Sequence, residues 1–151
     1  MANKITIRPA KPKDYQGVMV LYADFVNQPD RYKNNDNDSY KQALHQPNFW
    51  FLVAEIDHTL IGFITFSKRW VVRYPKPIVE VEEFYVSPSS RRQGIGTQLM
   101  NEVIKTAKQE NCQYIFLASS KDRLPAHKFY HTFKFDEYAY HYRRKPGPDK
   151  N

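Results

Sequence analysis

The sequence predicts an α/β (α+β) domain built around a mixed sheet, and two observations lead to this fold class. Runs of apolar residues typical of strands alternate along the chain with segments whose apolar residues recur at helical spacing. The chain has 151 residues, of which 41% are hydrophobic and 26% charged. This length suits one domain with a buried core, and this composition excludes a disordered protein and a coiled-coil rod.

The first half of the chain predicts three strands and two helices. Residues 57–59 are short enough for a hairpin between two of the strands, and the polar residues 34–38 are expected to form a loop between the helices. Strands are expected over 5–7, 49–56 and 60–66, and helices over 14–26 and 39–45.

The second half begins after residues 73–77, where two prolines interrupt the pattern. We assign residues 1–145 to one domain and residues 146–151 to a flexible C-terminal tail, because chain ends fray unless they are packed. Strands are expected over 78–86, 114–118 and 135–142, and helices over 95–111 and 125–132.

Several features of the sequence indicate a soluble, cytoplasmic protein. No apolar run reaches the ~18–20 residues needed to span a bilayer, and the first residues do not resemble a secretory signal. A single cysteine, Cys112, excludes an internal disulfide and a thiolate-rich metal site, and we expect it to serve packing.

The chain carries a net charge of +7, which favours anionic partners such as nucleic acid, a membrane surface or a phosphorylated cofactor. Arg91 and Arg92 differ from the other basic residues because they stand in mid-chain next to glycines. We expect the basic residues near the two ends to be solvated; these are Lys4, Arg8, Lys11, Lys13, Arg143, Arg144 and Lys145.

Two of the five glycines, Gly94 and Gly96, lie between a predicted strand and a predicted helix. Unpaired N–H groups at a helix N-terminus bind phosphate oxygens, and glycine lets the backbone approach an anion closely. A Walker loop is excluded because Gly-Lys-Ser/Thr is absent, and a dinucleotide fingerprint is excluded because Leu99 replaces its third glycine. A plain loop without a ligand is the alternative.

Arg91-x-x-Gly94-x-Gly96 resembles the pyrophosphate-binding motif of the GNAT superfamily of N-acetyltransferases, Gln/Arg-x-x-Gly-x-Gly/Ala. Glu82 to Val86 resembles the strand that precedes this motif in the family, and Thr97 to Asn111 resembles the helix that follows it. Downstream, Ala126 to Phe135 is similar to the family segment Ala-x-x-Phe-Tyr…Gly-Phe, except that Lys134 stands where the family usually has glycine.

The resemblance implies a mostly antiparallel sheet with splayed central parallel strands, 79–86 and 114–118, flanked by helices. It also implies an acyltransferase that moves an acetyl group from acetyl-CoA, its co-substrate, to a primary amine by direct transfer. In the family, the strand end that precedes the motif pairs with the pantetheine arm, and backbone N–H groups of the motif hold the pyrophosphate. These positions fall here on Phe84, Tyr85 and Val86 for the arm, and on Gln93, Gly94, Ile95, Gly96 and Thr97 for the pyrophosphate, with Arg91 and Arg92 at its edge.

Acetyl transfer to an amine benefits from a base, because free amines are mostly protonated at neutral pH. Relatives in the superfamily carry their proposed base at the position of Glu80 or of Glu82, and diamine acetyltransferases have a segment similar to Glu82 to Val86. We favour Glu82 and keep Glu80 as the second candidate. Strand alternation places both on one face and Glu83 on the other, unless a bulge intervenes. A solvated acidic strand face is the alternative.

Tyr130 is the candidate acid that protonates the departing thiolate, since family members often carry a tyrosine at this position. A packing role beside Phe129 is the alternative. His127 and His131 have the spacing of a metal pair on a helix, but no third ligand at motif spacing supports a metal site.

Tyr32, Trp70 and Tyr74 are expected near the acceptor, where aromatic rings would suit a cation, although a homodimer contact or loop packing is equally open. The acceptor is a small amine or a protein N-terminus or lysine. A nucleic-acid module would leave the glycine pair without a role, so we expect neither nucleic acid nor membrane as a partner. A GNAT fold that binds acetyl-CoA without catalysis is a further alternative.

Overall fold

The computed structural model describes residues 3–34 and 37–148, which form two compact units that divide after Leu117. The loop expected over 34–38 and the tail expected over 146–151 therefore lie partly outside the described residues. No described helix is long and apolar enough to cross a membrane.

The described residues of the first unit form five strands and three α-helices, and those of the second unit form one α-helix. The mixed α/β class and the order of these elements are as predicted. The strands are β1 (Ile5–Pro9), β2 (Phe49–Ile56), β3 (Thr59–Arg69), β4 (Ile78–Val86) and β5 (Tyr114–Leu117), and the helices are α1 (Tyr15–Phe25), α2 (Asp38–His45), α3 (Ile95–Gln109) and α4 (Leu124–Thr132).

The five strands form one sheet in the order β1-β2-β3-β4-β5, and all neighbours are antiparallel except β4 and β5. The β2–β3 hairpin turns at Asp57 and His58, whose positive φ values of 47° and 64° match the twist that a two-residue turn requires. The parallel pair β4–β5 lies at one end of the sheet and needs a crossover, which α3 supplies.

The two faces of the sheet are covered by different helices. On one face α1 packs against β3, and Tyr22 stacks on Phe63 with ring centroids 4.3 Å apart. On the other face α3 packs against β3 and β4 through Leu99 and Val103, both fully buried. A fully buried side chain of this size contributes about 2 kcal/mol, so these two layers hold the first unit together.

Arg8 corrects the expectation that the basic residues near the start are all solvated. Its guanidinium donates two hydrogen bonds to Asp14, of 2.7 and 2.9 Å, and a third of 2.7 Å to Glu55. The Arg8 hydrogen bonds hold the pKa of the buried Asp14 carboxyl below its usual range. The ion network thus ties β1 to β2 and to the turn before α1.

The strand predicted over 135–142 is wrong: described residues 133–148 contain no strand. Alternating apolar residues make a segment able to form a strand, but the strand exists only where another one offers hydrogen bonds. Tyr138, Tyr140 and Tyr142, which produced the alternation, are all exposed. The φ of Lys134 is 63°, a left-handed conformation that favours glycine, which fits the glycine usual at this place in the family.

Candidate active site

A short loop joins the end of β4, at Val86, to the beginning of α3, at Ile95. Gly94 is the N-cap residue with φ 77°, a conformation that glycine adopts without strain. Its carbonyl accepts the first helical hydrogen bond, 3.0 Å from the nitrogen of Gln98. Ile95 follows as the first helical residue and is 1% exposed, so it anchors the helix start in the core.

The N-terminus of α3 has the properties of an anion site. No side chain caps it, and its first turn carries no acidic residue. The N–H groups of the first turn have no carbonyl partner within a helix, and the helix dipole adds a partial positive charge. Gln93, Gly94 and Thr97 are exposed, and a Cβ on Gly94 would have no neighbour within 4 Å. A pyrophosphate group therefore fits the predicted residues.

The two arginines before the glycines differ in their surroundings. The Nε of Arg91 donates a 2.8 Å hydrogen bond to the carbonyl of Val86, and its guanidinium carbon lies 5.5 Å from the Tyr85 ring centroid. Arg92 is exposed and has a positive φ of 61°. Arg91 is therefore fastened to the end of β4, whereas Arg92 extends the positive surface beside the helix start.

The end of β4 extends beyond its pairing with β5. β4 pairs with β5 as far as Val81, opposite Leu117, whereas β3 continues to pair with β4 up to Val86. The residues from Phe84 to Val86 thus form the part of β4 that continues past the parallel pair. The resemblance implies that a pantetheine arm lies along this part of the strand.

A β-bulge in β4 overturns the simple alternation expected for the three glutamates. Thr65 pairs with Glu83, and the next residue of β3, Phe66, pairs with Val81, so Glu82 is the extra residue. The Oε1 of Glu82 accepts a 2.8 Å hydrogen bond from Ser67, which lies on the same β3 face as Thr65.

All three carboxylates consequently reach the α1 side of the sheet. Arg69, also on that face of β3, donates a 2.9 Å hydrogen bond to Glu80. Tyr22 of α1 donates a 2.6 Å hydrogen bond to Glu83. The expectation that Glu83 would face away from Glu80 and Glu82 is therefore wrong, and the extra residue is the reason.

Glu83 is half-buried and was not a predicted site residue. Burial raises the pKa of its carboxyl above the ordinary range, with the negative charge of Glu82 adding to the effect and the hydrogen bond from Tyr22 opposing it. A second contact of the same kind joins the helix to the strand, since Tyr85 donates a hydrogen bond to Asp24. No periodicity or motif in the sequence signals either contact, because both depend on how α1 crosses β4.

Tyr130, the predicted acid, lies on α4 in the second unit and is half-buried. Its ring centroid lies 5.8 Å from that of Phe129 and 6.0 Å from that of Phe135, and burial raises the pKa of its phenol. The phenol is therefore protonated at neutral pH, as a proton donor must be, and the raised pKa makes it a weaker acid than a free tyrosine. His127 and His131 each place one ring nitrogen on a backbone carbonyl, at 2.9 and 3.1 Å. Among the described residues, no three His, Cys, Asp or Glu side chains form a possible metal group.

The aromatic residues expected near the acceptor fall into separate surroundings. Tyr32 packs edge-on against Tyr22, with ring centroids 6.3 Å apart. Tyr74 packs against Tyr114, with ring centroids 5.1 Å apart, and Trp70 is 71% exposed. Of the three, Tyr32 contacts the aromatic ring that holds Glu83.

The model of the acetyltransferase (GNAT) family matches residues 17–135 of this chain. An uncharacterised N-acetyltransferase of Methanocaldococcus jannaschii is 27% identical over 137 residues, which cover 87% of this chain and 61% of the relative. The chain thus spans about three fifths of that relative's length. An aminoalkylphosphonate N-acetyltransferase of Salmonella typhimurium is 26% identical over 124 residues, 82% of this chain and 80% of the relative.

Solved structures share the fold. A transcriptional regulator of Bacillus halodurans superposes with a TM-score of 0.86 at 24% identity, covering 94% of this chain and 99% of the other. An aminoglycoside N-acetyltransferase in complex with CoA superposes with a TM-score of 0.81 at 19% identity, covering 97% and 98%. The match of the family model, over most of the chain, includes the β4 strand, the glycine loop and the α3 helix described above. The chain therefore belongs to the acetyltransferase (GNAT) family of N-acetyltransferases.

Proposed function

We propose that the chain transfers an acetyl group from acetyl-CoA to the primary amine of a small molecule by direct transfer. The observation that carries this proposal is the start of α3, a helix N-terminus that has no side-chain cap and no acidic residue in its first turn. Bound acetyl-CoA supplies a thioester, whose carbonyl carbon is open to attack by a neutral amine.

Ten residues bind the co-substrate in this proposal. The backbone N–H groups of the α3 start bind the pyrophosphate, because the helix end presents them to solvent. The edge of β4 binds the pantetheine arm through its backbone, as a further strand would. The residues are Phe84, Tyr85 and Val86 for the arm, and Arg91, Arg92, Gln93, Gly94, Ile95, Gly96 and Thr97 for the pyrophosphate.

Glu82 and Tyr130 carry the proton transfers. Glu82 is exposed at the bulge of β4 and accepts a proton from the amine, directly or through water, with Glu80 as the second candidate. We favour Glu82 over Glu80 because the Glu80 carboxylate is already engaged by the Arg69 guanidinium, whereas Glu82 is exposed. Tyr130 donates its phenolic proton to the departing thiolate.

The experiment measures thiol release from acetyl-CoA in the presence of a set of amines. The set contains alkyl diamines, aminoalkylphosphonates, aminoglycosides and peptides with a free N-terminus. Glu82→Gln is expected to lower kcat by at least ~10²-fold with the best amine, the usual contribution of a general base. Glu102→Gln, a half-exposed glutamate of α3, is the matched control and is expected to keep full activity. Full activity of Glu82→Gln would transfer the role of base to another group.

Two other functions are outcomes of the same experiment. Acetyl-CoA binding without amine-dependent thiol release would indicate a binding protein without catalysis. Release with peptides alone would indicate an acetyltransferase of protein N-termini or lysines. The proposal also includes a cytoplasmic location, which cell fractionation tests. It further includes a homodimer, which light scattering tests.

A further inference from the structure

Two of the β4 carboxylates have no cationic partner in the part of the chain that the structure describes. Glu80 is paired with Arg69, but Glu82 accepts a hydrogen bond from Ser67, and Glu83 accepts one from Tyr22. Both of these donors are neutral hydroxyl groups. Two adjacent unpaired negative charges on one sheet face are unusual in a chain whose net charge is +7, and they attract a cation from outside.

A buried hydroxyl group on the same sheet face points independently to a ligand. Thr65 is 1% exposed, and within the described residues its Oγ1 has no hydrogen-bond partner. Thr65 is the direct cross-strand partner of Glu83, so both side chains leave the sheet on the α1 side. A buried hydroxyl without a partner destabilises the folded protein, and a valine of the same shape would not.

The surroundings of these groups suit the apolar part of an amine. Tyr22 lies between Phe63, on which it stacks, and Tyr32, which it meets edge-on. Aromatic faces attract ammonium groups and also cover the methylene groups next to them. The combination offers two carboxylates and one hydroxyl oxygen beside aromatic rings, and an ammonium group has three N–H donors to place on them.

We propose that Glu83 and Thr65, together with Glu82, form the binding site for the ammonium group of the acceptor. The acceptor class is a cationic aliphatic amine that carries no anionic group, because a phosphonate or carboxylate near the amine would meet the two unpaired glutamates. This inference rests on the proposed function and deepens it. It separates this chain from its relative that acts on aminoalkylphosphonates, although the two are 26% identical.

The test measures the binding of butane-1,4-diamine and of 2-aminoethylphosphonate by calorimetry, to the full chain saturated with CoA. In the wild-type protein the diamine is expected to bind at least tenfold more tightly than the phosphonate. Glu83→Gln, which retains an oxygen for the Tyr22 hydroxyl, is expected to raise the Kd of the diamine about tenfold or more, as the loss of a hydrogen bond to a charged group predicts. Glu102→Gln is the matched control, with an expected Kd equal to that of the wild type.

Thr65→Val separates a ligand-binding role from a structural one. Since it removes a hydroxyl without a partner, it is expected to leave Tm unchanged or to raise it, while the Kd of the diamine rises about threefold. A purely structural role of the hydroxyl predicts a lower Tm and no change in Kd. Melting curves and CoA affinity for each variant show that the fold is intact.

An unchanged diamine Kd in Glu83→Gln, tighter binding of the phosphonate, or no diamine binding by the wild type would overturn the inference. Thiol release separates the two proposals. Amine-dependent release combined with an unaffected Kd in Glu83→Gln overturns this inference and leaves the acetyltransferase function in place. The expected Kd changes without release from any amine support the amine site and overturn the proposed transfer reaction.

Discussion

The start of α3 and the α1-facing side of β4 are neighbouring regions along the chain, but they differ in the kind of group that they offer to a ligand. At the start of α3 the proposed binding groups are backbone N–H groups, next to an exposed Gly94 and a half-buried Gly96 that carry no side chain. On β4 the proposed groups are side chains, and a bulge together with α1 sets their direction and burial. A change of side chain on β4 should therefore alter chemistry, whereas the α3 start is sensitive to whatever blocks its backbone.

The largest expected effect is on turnover, and it tests whether a side chain can be changed so that kcat falls while acetyl-CoA still binds normally. Tyr130→Phe keeps the ring contacts with Phe129 and Phe135 and removes only the hydroxyl, so Tm should change little. We expect kcat to fall by ~10²-fold or more, as for the loss of a general acid, with the Kd of acetyl-CoA nearly unchanged. Steady-state kinetics and calorimetry measure the two quantities.

Tyr138→Phe is the control for this variant, since Tyr138 lies in the same unit and is 69% exposed. It is expected to match the wild type. Near-normal turnover in Tyr130→Phe would leave Tyr130 as a packing residue and solvent as the acid.

A smaller effect, on binding rather than on turnover, is expected at the start of α3. Gly96→Val places a branched side chain at the second residue of the helix, where the pyrophosphate must approach the backbone. The Kd of acetyl-CoA should rise at least tenfold, which corresponds to about 1.4 kcal/mol, while kcat at saturation remains close to that of the wild type. Calorimetry of the folded variant provides the measurement.

Gly147→Val is a matched glycine substitution, because a Cβ there would meet no atom within 4 Å. It should leave the Kd unchanged. An equal Kd in Gly96→Val and wild type would show that this loop does not hold the pyrophosphate.

The two regions also differ in how far the sequence predicts them. The start of α3 depends on a local pattern, glycines between a strand and an apolar helix, so Gly94 and Ile95 occupy the expected positions at the beginning of the helix. The directions of the glutamates depend on register, and one extra residue at Glu82 reverses the prediction for Glu83. No local pattern marks a bulge of this kind.

The missing strand over 135–142 has a related physical cause. The segment alternates as a strand does, but pairing depends on a second strand that lies elsewhere in the chain or in another molecule. Arg8 shows the same limit for charges, because its partner Glu55 is 47 residues away in the sequence. Local patterns thus predicted most elements, including the beginning of α3, whereas long-range contacts determine the directions and partners of the β4 glutamates.

The smallest expected effect is on stability, and it tests whether Glu83 is ionised at a cost to the fold. Because burial raises the pKa of its carboxyl above 4.5, the folded chain binds more protons than the unfolded chain between that value and the raised one. The free energy of unfolding therefore decreases as the pH rises through this window, and the full decrease is present above it.

Glu83→Gln cannot ionise, so its Tm should exceed that of the wild type by more at pH 8 than at pH 4. We expect the difference to increase as the pH rises through this window and to stay constant above it. Melting curves at the two pH values measure it, with Glu102→Gln as the control. A Tm difference that is independent of pH would show that other interactions in the folded protein offset the burial of the ionised Glu83 carboxylate. Ionisation of Glu83 would then not destabilise the fold.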